Sequence, residues 1–359
     1  MRARFPSVFA ILALVLLVAG CPSKESLGAG AISVLGPGVI NNPHNKSLRF
    51  DILKFGLGRF CFEMTRRGAP LKLSDDQPVL GRFFAQSCSS QVLENTSRQS
   101  LVVQYSGDGY GWTNLSGRIG FSAAGLIEYA PDFQMADNGA MYIYFRPRQV
   151  NATSFKTLMV ESMLARGGMA VAGLDPDRLG KQIVQGQLQR GFTVIRENDK
   201  GETDFGLGII PKGQKPFKPF QVKNADKITL ANDRTEVHGG QQDYVGGFEV
   251  PDSGQALYIT MTLDGAPAVD VFVVSKGVGD QMIDRYVKKG GASPLTARPL
   301  LDEPLVAGQV WKRYLALPKG MYYLVIDHSS AAGRTSPPPI QGGEQAAKVD
   351  YLVELGDAP

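Results

Sequence analysis

Residues 257–263 have the sequence Leu-Tyr-Ile-Thr-Met-Thr-Leu, in which apolar and polar side chains alternate. Successive side chains of a β-strand point to opposite sides of a sheet, so this alternation is typical of a strand with one buried face. Asp264-Gly265, a common turn sequence, follows directly, and Val269, Val271 and Val273 then repeat the alternation. The sequence therefore predicts a β-hairpin over residues 257–273.

The same pattern continues toward the C-terminus. Residues 311–317 and 321–327 are two further strand-like runs, joined by the tight turn Pro318-Lys319-Gly320, and residues 349–355 form a last strand. Many short strands separated by turn residues are typical of a sandwich. We therefore expect residues 223–359 to form an all-β sandwich or jelly-roll domain.

Three stretches of this half carry a family resemblance. They are Asp243-Tyr244 with residues 248–250 (Phe-Glu-Val), the strand 257–263, and residues 317–325 with their Pro-Lys-Gly-Met-Tyr-Tyr hairpin. Together they resemble the bacterial pre-peptidase C-terminal domain over residues 235–330. The resemblance implies an accessory β-sandwich that contributes no catalytic residue.

The segment before the sandwich marks a change of pattern. Residues 211–222, PKGQKPFKPFQV, are rich in Pro and Lys and break every periodicity. We interpret them as the linker between two domains. A basic arm that faces a membrane is the alternative.

Residues 46–222 are predicted to be an α+β domain, with a mainly antiparallel sheet and two or three helices on one face. Strands are predicted over residues 118–129, 140–145, 192–196 and 205–210, with residues 140–145 apolar on both faces and therefore central. Helices are predicted from Ser47 to about Gly68, from Phe155 to Gly167, and from Asp175-Pro176 to Gly191. For residues 60–64, alternation also permits a strand.

The N-terminus indicates export. Arg2 and Arg4 precede an apolar run of 12 residues, 8–19, which is shorter than the roughly 20 residues of a membrane-spanning helix. Residues 18–21, Val-Ala-Gly-Cys, resemble the lipobox of bacterial lipoproteins. The resemblance implies that residues 1–20 are a signal peptide, that Cys21 is lipidated, and that residues 21–45 are a flexible tether.

The residue after Cys21 is Pro22, not Asp, so the family's inner-membrane retention signal is not present and the outer membrane of a Gram-negative bacterium is expected. Two further cysteines, Cys61 and Cys88, remain in the chain. In an exported protein such a pair predicts one disulfide bond. A metal or redox pair is the alternative, but the sequence contains no Cys-x-x-Cys.

Composition limits the classes of partner. The net charge of +4 falls to about +2 when the signal with its two arginines is removed, which does not favour a nucleic-acid partner. The chain contains 42 Gly and 22 Pro, as expected for many strands with tight turns.

No motif specifies a reaction or a cofactor. The three histidines, His44, His238 and His328, lack the clustered spacing of a metal site. Ser122 in Gly-Phe-Ser-Ala-Ala lacks the second glycine of a nucleophile elbow, and residues 173–181 lack the spacing of a phosphate-binding loop.

Carboxylates are scattered along the chain. Asp175 and Asp177 fit a helix N-terminus, and Asp302 and Glu303 would face opposite sides of a strand. The most ligand-like stretch is residues 107–112, Gly-Asp-Gly-Tyr-Gly-Trp, which we interpret as a glycine-rich hairpin with packed aromatic rings rather than a sugar or lipid platform.

These observations predict a lipid-anchored envelope protein with a non-catalytic binding or structural-accessory role. Its partners would be the membrane, through Cys21, and an envelope glycan, lipid or protein. The alternative is a hydrolase that acts on envelope glycan or lipid. Two acidic groups facing each other across a cleft would favour the hydrolase, and a wide apolar groove would favour lipid binding. We expect any site to lie in residues 46–222.

Overall fold

The computed structural model describes most of the chain after the N-terminal region, namely residues 38–39, 41–49, 60–95, 98–114, 116–161, 186, 189–196, 203–222, 226–335 and 346–359. Several predicted features lie outside these residues. They are the signal peptide, Cys21, most of the tether, and residues 173–181 with Asp175 and Asp177. The described part is mostly antiparallel β-structure.

Seven strands form one antiparallel sheet in which each strand pairs with the next along the chain. The four middle strands β2 to β5 are long, and β4 and β5 make the most extensive pairing. The bounds are β1 Ala69–Leu71, β2 Gly81–Asn95, β3 Arg98–Thr113, β4 Gly117–Met135, β5 Met141–Val160, β6 Phe192–Arg196 and β7 Thr203–Leu207.

The sequence patterns explain the middle of this sheet. Ala123, Ile127 and Tyr129 of β4 are buried while their neighbours are half-exposed, so the predicted alternation is confirmed there. Met141 and Tyr142 at the start of β5 are both buried although they point to opposite faces, as predicted for a strand covered on both sides. The predicted pair of strands around residue 200 is also confirmed, as β6 and β7.

The helix predicted from Phe155 is wrong over its first six residues, because β5 continues to Val160. Phe155 pairs with Ala123 and Val160 with Ile119, so hydrogen bonding to β4 overrides the local helical spacing. Glu161 is not helical either, and the remaining residues 162–167 lie outside the described part of the chain. Of the helix predicted to end at Gly191, residues 186 and 189 are helical, and Gly191 adopts a φ of 68°, as a helix-terminating glycine does.

The predicted first helix is present at both of its ends. Residues 46–49 are helical, and α1, Phe60–Arg66, ends close to the predicted Gly68. Cys61 of α1 and Cys88 of β2 form a disulfide with a Cα–Cα distance of 5.2 Å, so the predicted pair is bonded in the structure.

Residues 228–357 contain two four-stranded antiparallel sheets that pack face to face. One has the order β13-β10-β15-β8 and the other β12-β11-β14-β9. Apolar residues of both sheets, including Leu257, Ile259, Val271 and Leu324, form the core between them, which confirms a sandwich. The bounds are β8 Ile228–Val237, β9 Gln241–Val250, β10 Gln255–Asp264, β11 Ala268–Ser275, β12 Leu301–Val306, β13 Trp311–Ala316, β14 Gly320–His328 and β15 Ala347–Asp357.

The two predicted hairpins of the sandwich are wrong. Asp264-Gly265 joins β10 to β11, and these strands belong to different sheets; β10 pairs with β13 and β15 instead. Residues 318–320 likewise carry the chain from β13 in one sheet to β14 in the other. In both cases the turn sequence is a local signal, whereas pairing is decided by which apolar faces meet in the core.

The sandwich also contains a helix that alternation did not predict. Helix α2, Lys276–Lys288, buries Met282, Ile283, Tyr286 and Val287 on one side. Gly277 and Gly279 lower its local helix propensity and obscure the pattern. No helix in the described part of the chain has the length and hydropathy that a membrane span requires.

Helix α2 lies between the sandwich strands and the seven-stranded sheet. Side chains of the helix, the sandwich strands and the sheet form one buried cluster. Tyr110 of β3 packs edge-to-face against Tyr286 of α2 at a ring distance of 4.9 Å, and Tyr244 of β9 completes the group. The same cluster contains Phe272 and Tyr323.

Arg118 of β4 is 1% exposed and stacks over the Tyr286 ring at 3.6 Å. Its guanidinium donates to the carbonyl oxygens of Tyr286, Lys289 and Gly291, so a residue of the sheet satisfies the end of a helix of the sandwich.

The predicted linker has no regular structure in residues 208–222 but contacts both halves. The Phe217 amide donates to Asp75, on the side of the sheet, and Asn232 of β8 exchanges two hydrogen bonds with the backbone of Phe220.

Candidate functional site

A cavity of about 350 Å³ lies on the seven-stranded sheet inside the region where we expected a site. Three consecutive residues from each of three adjacent strands line it. These are Ser87, Cys88 and Ser89 of β2, Gln104, Tyr105 and Ser106 of β3, and Ala124, Gly125 and Leu126 of β4.

Strand register brings these residues into one row. Cys88 pairs with Tyr105, and Tyr105 pairs with Gly125. The β2–β3 pairing shifts at residues 85–87, and the β4–β5 pairing shifts between Ala124 and Gly125. Such bulges bend strands and re-aim side chains, which explains a depression in an otherwise continuous sheet.

Gly125 makes room for the Tyr105 side chain. A Cβ atom at position 125 would lie 2.6 Å from the Tyr105 hydroxyl oxygen, closer than van der Waals contact allows. Burial raises the pKa of Tyr105 to about 12, so its hydroxyl is neutral near pH 7. The row therefore places a neutral phenol beside the cavity.

The rest of the lining is uncharged and mixes serine and glutamine side chains with apolar ones such as Leu126. Ser87 and Ser106 share a hydrogen bond of 2.6 Å between their hydroxyl oxygens, and Gln104 is exposed. Cys88 contributes the disulfide to Cys61. The described lining can therefore donate and accept hydrogen bonds, and none of its side chains is ionised near pH 7.

The three histidines do not meet. His44 is exposed, His328 places Nδ1 3.1 Å from the Val237 carbonyl oxygen, and His238 stacks on Trp112 at a ring distance of 3.4 Å. Within the described residues, no group of three or more His, Cys, Asp or Glu side chains is placed to hold a metal ion.

The other sequence candidates occupy structural positions. Ser122 lies inside β4 rather than at a strand-to-helix turn, and its hydroxyl is 3.4 Å from the Gly107 carbonyl oxygen. Glu303 accepts hydrogen bonds from Arg313 and Trp311, which lower its pKa.

Residues 107–112, predicted to form a hairpin, lie within strand β3. Gly107 and Gly109 allow close approach of β2, since a Cβ atom at either position would clash with the β2 backbone. The aromatic Tyr110 is buried, as the packed interpretation requires.

A buried ion pair that no sequence pattern indicated joins the two halves. Arg82 of β2 makes two hydrogen bonds of 2.7 Å to Asp243 of β9, and Tyr110 donates a third to the same carboxylate. Burial alone would raise the pKa of Asp243, but Arg82 and these hydrogen bonds hold it below its usual value. The available signal was the charged Asp243, which lies in a strand-like stretch where a buried side chain is expected.

Comparison with known proteins gives no family. No family model matches the chain, and no curated protein matches it. Among solved structures, the infectious bursal disease virus Gt strain structure is similar at 12% identity and a TM-score of 0.20, covering 80% of this chain and 73% of that one. A VP2 subviral particle of the same virus gives 11% identity, a TM-score of 0.21, and coverages of 80% and 74%. Likeness at this level supports no conclusion about fold or function.

Proposed function

We propose that this protein is an outer-membrane lipoprotein, anchored through Cys21, whose seven-stranded sheet binds a neutral envelope glycan. The sandwich serves as a non-catalytic accessory body, as its resemblance to pre-peptidase C-terminal domains implies. The proposed domain organisation is an α+β domain over residues 46–222, with helices on one face of the sheet, followed by the sandwich. The disulfide between α1 and β2 supports that placement of one helix.

The observation that carries the binding role is the uncharged cavity whose lining includes Gln104 and three serines. Its volume of about 350 Å³ lies at the small end of ligand pockets, which start at about 300 Å³, and suits one or two sugar units. Sugar hydroxyls would satisfy the serine hydroxyls and the Gln104 amide. An acyl chain would bury the Gln104 amide without a partner, at a cost of about 1–3 kcal/mol.

The hydrolase alternative gains no support from the paired aspartates of the sandwich. Asp270 of β11 and Asp327 of β14 are paired across two strands of the sandwich, but both are 0% exposed. They lie side by side under protein rather than across a cleft, so a substrate has no path to them.

Binding can be tested with N,N′,N″-triacetylchitotriose, a neutral glycan, in titration calorimetry. Gln104→Ala removes an exposed hydrogen-bonding group of the cavity, and we expect about five- to tenfold weaker binding, the effect of one hydrogen bond. Gln91→Ala, in the same sheet but outside the cavity, is the matched control and should bind like the wild type. Equal affinity of both variants, or binding to neutral phospholipid vesicles but not to the glycan, would refute the assignment.

The anchor is tested separately by membrane fractionation. Cys21→Ser removes the acceptor of the lipid and should move the protein into the soluble fraction, because two or more acyl chains are what hold it at the membrane. Ser23→Ala, two residues away, should leave the protein with the membrane. If the Cys21→Ser protein is still cleaved before residue 21 and stays in the membrane fraction, the lipoprotein assignment is wrong.

A further inference from the structure

The feature that the binding role leaves unexplained is the pair of aspartates at one end of the sandwich. Asp270 of β11 and Asp327 of β14 are directly opposite in register, so their side chains lie on the same face of the sheet. Both are 0% exposed. Two neighbouring carboxylates cannot both ionise in such a site unless a positive charge compensates them.

Each carboxylate is satisfied on one oxygen only. Thr335 donates its backbone amide and its hydroxyl to Asp270 Oδ2, at 2.9 and 2.7 Å. The Ser329 hydroxyl donates to Asp327 Oδ1 at 2.6 Å. Asp270 Oδ1 and Asp327 Oδ2 are buried and have no hydrogen-bond partner among the described residues.

Residues 329–335, here called the covering segment, lie over the pair and are held by it at both ends. Between these ends, Gly333 approaches so closely that a Cβ atom there would lie 2.2 Å from the Asp270 carboxyl carbon. Little space therefore remains beside Asp270 for a cation, which needs six or more oxygen ligands if it is Ca²⁺ or Mg²⁺. A proton needs no such space.

We propose that Asp270 and Asp327 share one proton in the folded protein, and that its loss to solvent as the pH rises through neutrality loosens the covering segment. The proton reduces the charge of the pair from −2 to −1. When it leaves, repulsion between the two carboxylates opposes the hydrogen bonds to Ser329 and Thr335.

The charged and titratable groups around the pair do not neutralise it. Asp302 of β12 faces the same side of the sheet and adds negative charge, and Arg334 of the covering segment lies 3.9 Å from Asp302. From β9, Gln242 is opposite Asp327, and Tyr244 next on that face interacts with Asp327 and Arg118. Arg118 is itself bonded to Glu161 and to three carbonyl oxygens.

The electrostatics agree with the geometry. Burial, with a further contribution from Asp270, raises the pKa of Asp327 to about 7, although Ser329 and Gln242 act in the opposite direction. The folded state therefore holds a proton that the unfolded chain, with its ordinary Asp pKa near 4, releases. By linkage, this contribution to stability is complete below about pH 4 and is lost as the pH rises toward and through about 7.

Hydrogen exchange of the full mature chain tests the proposal. After correction for the intrinsic exchange rate, we expect protection of peptides covering residues 329–335 to fall about tenfold between pH 5.5 and pH 8. Asp327→Asn cannot lose a proton, so its protection should be the same at both pH values. Asp357→Asn, exposed at the end of β15 in the other sheet, is the control and should keep the wild-type pH dependence.

Several results would overturn the proposal. These are wild-type protection that does not change with pH, an Asp327→Asn protein that responds to pH like the wild type, and restoration of protection at pH 8 by millimolar Ca²⁺, which would indicate a cation site. If Asp327→Asn does not fold, carbon-13 titration of the wild-type aspartates decides the matter. An Asp carboxyl with a midpoint near pH 7 supports the shared proton, and titration of every Asp below pH 5 excludes it.

Discussion

At the scale of single residues, the contact between helix α2 and the seven-stranded sheet depends on a glycine at a position where no side chain fits. Gly120 of β4 lies against the end of helix α2, and a Cβ atom at this position would be 1.8 Å from the Val287 carbonyl oxygen. The absence of a side chain therefore lets the helix reach the sheet, where Arg118 donates to the Tyr286 carbonyl oxygen in its last turn.

Gly120→Ala should consequently lower the free energy of unfolding by about 1–3 kcal/mol, since the clash is with backbone and the helix must shift. Gly277→Ala is the matched control, because Gly277 is exposed in the first turn of α2 and a Cβ atom there meets nothing within 4 Å. It should leave stability unchanged or raise it by up to about 1 kcal/mol through helix propensity. Urea denaturation measures both. Equal effects of the two substitutions would contradict the close packing of α2 on β4.

The residue scale also shows what sequence could not reveal. Cys61 and Cys88 were predictable as a pair because few alternatives exist in an exported chain. The partners Arg82 and Asp243, and the partners Asp270 and Asp327, are far apart in sequence, and only the register of the strands brings them together. The cavity around Tyr105 arises from bulges, which leave no clear signal in a single sequence.

At the scale of elements, alternation proved a reliable guide to strands and a poor guide to their partners. It located β10 and much of β4 because one face of each is buried in a core, whereas the start of β5 was recognised because both of its faces are apolar. It did not show that β10 and β11 belong to different sheets, since the turn Asp264-Gly265 fits a hairpin equally well. Helix α2 was missed for a related reason. Its four large buried residues lie in one short stretch, and the glycines before them weaken the helical signal.

At the scale of the whole molecule, the question is whether the sandwich folds independently of the seven-stranded sheet. The change of sequence pattern at residues 211–222 predicts a boundary, and a sandwich that folds alone. The structure adds a buried ion pair, the cap by Arg118 and an aromatic cluster, all of which cross between the sheet and the sandwich. Removal of one partner of such a buried pair typically costs 3–5 kcal/mol, whereas exposed pairs contribute at most about 1 kcal/mol.

We therefore expect the mature protein to unfold in a single calorimetric transition. Arg82→Met should lower its stability by about 3–5 kcal/mol, because it leaves the Asp243 carboxylate buried without its counter-charge. Arg234→Met is the control, since the Arg234–Asp350 pair lies within the sandwich and is partly exposed, and it should cost about 1 kcal/mol or less.

A chain that begins at Val222 completes the test. It lacks Arg82, Tyr110 and Arg118, but it retains the core between the two four-stranded sheets, so it should show β-type circular dichroism and cooperative unfolding at a lower temperature than the whole protein.

In this short chain the seven-stranded sheet no longer covers Asp243, and hydration should replace the ion pair. Asp243→Asn should then have little effect in the short chain and a large one in the whole protein. If the short chain is unfolded, the two halves share a single core and the boundary is misplaced. A different result would show that the halves are not coupled through the buried pair. The whole protein would then unfold in two separate transitions, and Arg82→Met would shift only the transition that the short chain does not show.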